Sequence, residues 1–122
     1  MLTHGNMLSN ALVLKEVWGW RSQQQGGDVM IHALPIFHVH GLFVAIHGAL
    51  INGSKMIWLN KFDPKVVLQH LPHATVFMGV PTLYVRLLAE RLQLDLKTQF
   101  KNLLSQDSIF AQPVNLRGCR WA

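Results

Sequence analysis

The sequence predicts an α/β fold assembled from parallel βαβ units, and three observations carry that expectation. Short apolar runs alternate with longer segments of helical spacing, strand then helix three times over. The links between them are short and marked by Gly, Pro, Asn and Asp. Half of the 122 residues are apolar and only 14% are charged, a texture shared by buried parallel strands and the helices that cover them. The chain has too much to bury to remain disordered. It also has few charges for a free-standing surface, which points to a piece of a larger domain.

The first element runs from Asn6 to about Trp20, where Met7, Ala11, Leu14 and Trp18 recur at helical spacing and Asn6 is placed to cap the helix. Arg21 to Asp28 is polar and Gly-ended, a surface loop. Val29-Met30-Ile31-His32-Ala33-Leu34 is an apolar run stopped by Pro35, which suits a buried strand. Pro35 and Gly41 then frame a turn. A mostly apolar helix over 42–51 follows, closed by Asn52-Gly53, and Lys55 to Leu59 is the second strand. Asp63-Pro64 opens the next helix, with Asp63 as N-cap and Pro64 in its first position. Thr75 to Met78 is the third strand, Gly79-Val80-Pro81-Thr82 a turn, and Leu83 to about Leu92 the third covering helix. From Lys97 to Ala122 no period holds, so weak order is expected there.

Charge and length exclude several function classes. The excess of 11 Lys and Arg over 6 Asp and Glu gives a net charge of +5, but the cations are scattered and form no stripe with exposed aromatics, so no nucleic-acid partner is expected. The N-terminus lacks the basic and apolar regions of a signal peptide. An uncharged stretch of 26 residues, 29–54, has the length of a membrane span. It contains His32, His38, His40, His47 and an interior Pro35, so no transmembrane segment is expected. The single Cys119 can form neither an internal disulfide nor a Cys-based zinc site and is compatible with a reducing compartment such as the cytoplasm.

In open parallel sheets, ligands bind at the carboxyl ends of the strands. The turn Pro35 to Gly41 is therefore the first candidate site, where His38 can orient a carboxylate or carry a proton near neutrality, or else be satisfied within a packed turn. On an extended strand His38 and His40 would share a face and could bind zinc, although no Asp or Glu is evidently placed to complete the site. Arg86 can meet a carboxylate through both arms of its guanidinium, or simply pair with Glu90.

Three segments occur in order: Leu2-Thr3-His4-Gly5-Asn6, Leu34 to Phe43 containing Pro35-Ile36-Phe37-His38-Val39-His40-Gly41, and Met78-Gly79-Val80-Pro81-Thr82-Leu83-Tyr84. Together they resemble the AMP-forming acyl-CoA synthetase family of adenylate-forming enzymes, over about residues 1–92. Phe37-His38-Val39-His40-Gly41, Lys61-Phe62-Asp63-Pro64 and Gly79 to Arg86 look most like the malonyl-CoA synthetases of that family. The resemblance implies a partial parallel βαβ sheet from the family's large N-terminal domain. It implies an ATP-dependent acid–CoA ligase acting on malonate or a similar short dicarboxylate, in the cytoplasm or, in a eukaryote, the mitochondrial matrix. ATP, Mg2+ and coenzyme A would serve the full-length enzyme, with none held tightly by this chain alone.

Carried over residue by residue, the resemblance places His38 beside the reacting carboxylate. It brings Val39 and His40 to the acid pocket, makes Gly79, Val80, Pro81 and Thr82 part of its wall, and gives Arg86 the distal carboxylate. The family's Ser/Thr/Gly-rich phosphate loop, its Tyr-Gly-x-Thr-Glu motif, its ribose-binding Asp and its C-terminal lysine are not in these residues. The expected organisation is a synthetase-like segment at 1–96 and an off-pattern tail at 97–122, as a shifted reading frame or a truncated gene would produce. The chain alone is expected to be inactive, with no malonate-dependent ATP–pyrophosphate exchange. The alternatives are a metal-dependent hydrolase using His38 and His40, and a non-catalytic remnant or interaction fragment.

Overall fold

The computed structural model describes residues 2–21, 23–104 and 120–121. Its element order is α1 (His4–Val17), β1 (Val29–His32), a π-helical segment (His40–Ile46) leading into α2 (His47–Ile51), β2 (Lys55–Trp58), α3 (Pro64–His70), β3 (Val76–Phe77), α4 (Pro81–Leu104) and β4 (Arg120–Trp121). The strands form one sheet in the order β2-β1-β3-β4. All its pairs are parallel, with Val29 opposite Lys55, His32 opposite Trp58, and Met30 opposite Val76.

Side-chain alternation along the strands assigns the two faces. Met30, Leu34, Val76 and Met78 pack with Trp20, Ala45 and Ala49, so α1, the π-helical segment and α2 cover one side. Ile31, Ala33 and Phe77 pack with Val67, Leu68, Leu71 and Leu87, so α3 and α4 cover the other. The central strands β1 and β3 are therefore buried on both faces, as their apolar sequences require, while β2 stays partly exposed.

Helix starts follow local capping chemistry. Asn6 does not cap α1. Thr3 does, because its extended backbone (φ −98°, ψ 161°) lets its Oγ1 accept from the Asn6 N–H. The Asn6 Oδ1 accepts in return from the Thr3 backbone N–H at 3.0 Å, completing a reciprocal box that contributes about 1 kcal/mol. The helix stops at Val17 rather than near Trp20, since Gly19 turns left-handed at φ 59°. That reversal delivers Trp20 into the core, where its ring lies against Gly48 so closely that a Cβ there would sit 3.1 Å from Trp20 Cζ2. Asp63 caps α3 as expected, its Oδ1 accepting from Lys65 N at 2.9 Å with Pro64 in the first turn.

At the amino end of the strands a buried Asp28 joins three segments. Its Oδ2 accepts from Arg21 N at 2.7 Å and its Oδ1 from Thr75 Oγ1 at 2.8 Å, while Thr75 Oγ1 accepts from Val29 N at 3.0 Å. These bonds hold the loop before β1 and the entry to β3 in fixed register with β1. The strands are shorter than the apolar runs suggested. α4, by contrast, begins at Pro81 and continues past residue 96 to Leu104, well beyond the expected end at Leu92. The remainder of the expected tail, 105–119, lies outside the described residues. The uncharged stretch is divided into strand, turn and helix, and among the described residues no helix is long and apolar enough to cross a membrane.

Candidate acid-binding cleft

The carboxyl ends of β1 and β2 and the turn after β3 open into one cleft of about 850 Å³. That volume lies within the range typical of small-molecule sites. Ala33 to His38, His40 and Gly41 come from the turn after β1, Trp58 to Phe62 from the end of β2 and its loop, and Val80 and Leu83 from the turn and helix after β3.

The β1 turn is shaped by a close approach. A Cβ on Gly41 would collide with the Pro35 carbonyl oxygen, so only glycine lets the helical segment start directly over the strand exit. His38 N donates to Pro35 O at 3.3 Å and Leu42 N to His38 O at 3.0 Å, which joins the turn to the helix without a break. His38 is solvent-exposed with its ring 4.5 Å from that of Phe37, and His40 is the half-buried first residue of the π-helical segment. The extended backbone on which a shared zinc face depended is therefore not present: the two histidines straddle a turn-to-helix transition. Among the described residues no three His, Cys, Asp or Glu side chains are grouped to hold a metal ion.

The lining is mostly apolar, and its polar members are His38, His40, Asn60 and Lys61, with no carboxylate among them. A second cation stands at the rim. The Arg86 guanidinium lies 5.0 Å from the centroid of Phe62, which lines the cleft. Arg86 is thereby held by a cation–π contact rather than by Glu90. An apolar cleft with cations and imidazoles but no acidic group favours a small anion.

Of the residues the sequence marked, the cleft brings together His38, His40 and Val80. Arg86 is not a lining residue; it contacts the ring of Phe62, which is. Val39, Gly79, Pro81 and Thr82 are not lining residues: Val39 is exposed just before the π-helical segment, and Gly79 to Thr82 form the turn that carries Val80 into the wall and starts α4. Sequence reasoning gave no site role to Trp58 or Asn60, and used Lys61 and Phe62 only as part of the Lys61-Phe62-Asp63-Pro64 resemblance. Their signal was available, since they follow directly on the carboxyl end of an apparent strand.

A family model for AMP-binding enzymes matches residues 1–119. A mitochondrial malonate–CoA ligase of Xenopus laevis is 37% identical over 92 residues, covering 71% of this chain and 15% of the ligase. A long-chain-fatty-acid–CoA ligase of Bacillus subtilis is also 37% identical over 92 residues, covering 72% and 16%. ATP-bound MatB of Rhodopseudomonas palustris superposes with a TM-score of 0.67 at 51% identity, covering 72% of this chain and 17% of MatB. The chain thus spans about a sixth of the length of the relatives it matches.

Proposed function

The chain belongs to the AMP-binding enzyme family, and from that premise we propose that its cleft is the acid-binding part of an ATP-dependent acid–CoA ligase whose substrate is malonate or a similar short dicarboxylate. What supports this reading is a cleft lined by Lys61 and two histidines with no carboxylate, together with Arg86 lying over the ring of the lining residue Phe62. A dicarboxylate needs two separate positive or hydrogen-bonding partners, because a second carboxylate removed from water without one is heavily penalised.

The reaction of such a ligase has two steps. The acid's carboxylate oxygen attacks the α-phosphorus of ATP, forming an acyl-adenylate and expelling pyrophosphate. The thiol of coenzyme A then attacks the acyl carbon and AMP leaves. The residues of this chain serve the acid end. His38, at the mouth of the β1 turn, orients the reacting carboxylate. His40, Val80 and the apolar lining bound the short carbon chain and exclude water, and the turn through Gly79, Pro81 and Thr82 holds Val80 in that wall. Arg86, steadied on Phe62, takes the distal carboxylate. A ligase of this kind would use ATP, with Mg2+, and coenzyme A beside the acid. A reducing cytoplasmic or mitochondrial compartment suits the lone Cys119.

Arg86→Ala tests the substrate class in a full-length synthetase carrying residues 1–96 of this chain. The expected result is a KM for malonate raised roughly 10- to 100-fold, the loss of about 1.4–3 kcal/mol of charge-assisted binding, with the KM for acetate changed little. Equal effects on both acids would remove Arg86 from the pocket and the dicarboxylate reading with it.

A further inference from the structure

The two arginines in the middle of α4 are held in different ways. Arg91 is paired with a carboxylate, its Nε donating to Asp95 Oδ2 at 3.0 Å. The ion pairs among the described residues are this one and that of Arg21 with Asp28, so Arg86 has none, although Glu90 lies one turn further along the same helix. The Arg86 guanidinium lies instead over the ring of Phe62, 5.0 Å from its centroid. The two arrangements differ in what they leave for a ligand. A carboxylate partner occupies N–H donors and cancels the charge, whereas the face of an aromatic ring attracts the cation through its quadrupole and leaves the charge uncancelled.

Phe62 is itself fixed. It immediately precedes Asp63, whose Oδ1 accepts from Lys65 N at 2.9 Å to cap α3. Its half-buried side chain packs against the core cluster that contains Ile31 of β1, Val67 of α3 and Leu87 of α4, and it also lines the cleft. A single ring therefore touches the core, the cleft and the Arg86 guanidinium.

We propose that Phe62 is the positioning residue for Arg86: its ring holds the guanidinium at the cleft rim with its charge uncancelled, and so sets the preference for an acid with a second carboxylate over an acid without one. The inference rests on the function proposed above, in which Arg86 takes the distal carboxylate, and adds that the preference depends on the ring. An untethered arginine on an exposed helix face spreads over many rotamers, and ordering it at the moment of binding takes affinity away.

The test is a titration of the 122-residue chain with malonate and with acetate, followed by NMR, for the wild type, Phe62→Leu, Phe62→Tyr, Arg86→Ala and the double variant Phe62→Leu with Arg86→Ala. Leucine keeps an apolar side chain but no π face, and tyrosine keeps both. Phe62→Leu is expected to lower the ratio of malonate to acetate affinity roughly two- to tenfold, and Phe62→Tyr to retain it. In the Arg86→Ala background Phe62→Leu should lower the ratio no further, an outcome that a ring merely shaping the wall would not give. Before any acid is added, the Arg86 Nε–H and δ-methylene signals of the wild type should be displaced by the ring current of Phe62, a readout that needs no variant to fold. Undisplaced Arg86 signals, a ratio lowered by Arg86→Ala but unmoved by Phe62→Leu, or equal losses from Phe62→Leu with and without Arg86 would overturn the inference and leave the acid cleft standing. A ratio that Arg86→Ala does not move would overturn the dicarboxylate reading itself, and this inference with it.

Discussion

His38 and His40 could be singled out because a chemistry-bearing residue just after an apolar strand run already has a place in an open parallel sheet, whereas Val80 and the pocket role of Arg86 came only from the family resemblance. Trp58, Asn60, Lys61 and Phe62 obey the same rule, yet their contribution depends on how the β2 loop folds back over the β1 turn, which no local pattern encodes. His32 was legible only as a strand residue, since its lack of partners is a property of the packed core. That residue makes stability depend on pH. Its folded pKa lies below the unfolded value of 6.5, so protons favour the unfolded chain. Stability is fully present above about pH 6.5 and is lost as pH falls below it, with a limiting slope of about 1.4 kcal/mol per pH unit. Melting curves between pH 7.5 and 5.5 should show Tm dropping in the wild type and a shallower decline in His32→Phe. Parallel declines would mean that other groups dominate acid sensitivity.

Each strand and helix of residues 2–92 was visible as an element, because period-2 and period-3.6 apolar patterns survive tertiary packing. The boundaries were less visible, for reasons that differ between elements. At α1 the reciprocal bonds of Thr3 and Asn6 move the cap three residues ahead of the first candidate. The helix before β2 starts at His40 rather than Leu42, because the Gly41 contact with Pro35 allows a wide π turn to begin at once over the strand. α4 extends past Leu92 since no breaker interrupts it, and its later part is supported by local bonds, including Arg91 Nε to Asp95 Oδ2 at 3.0 Å.

That long helix carries an apolar stripe on its open side. Val85, Leu88, Leu92 and Leu96 recur at three- and four-residue spacing and are each more than half exposed, while Leu87 faces the core. Contiguous exposed apolar surface of this kind promotes association. The double substitution Leu88→Lys with Leu92→Lys should therefore lower self-association of the chain in sedimentation experiments and leave Tm within about 1 kcal/mol of stability, since neither side chain is buried. A large fall in Tm would show that the stripe packs against something within the chain.

Across the whole molecule, a parallel sheet brings the exits of β1, β2 and β3 to one end, and the cleft follows from that convergence. The sheet order β2-β1-β3 has its first strand in the centre, so the chain crosses over once to each side of β1. The chain spans about a sixth of the length of the relatives it matches. On the function proposed above, the cleft by itself recognises a dicarboxylate. The most direct test of that is a titration of the 122-residue chain with malonate, and separately with acetate, followed through the ring signals of His38, His40 and Phe62. Saturable shifts at these residues with malonate, and much weaker ones with acetate at the same ionic strength, are the expected result. Shifts of equal size with both acids, or none at the cleft, would contradict it.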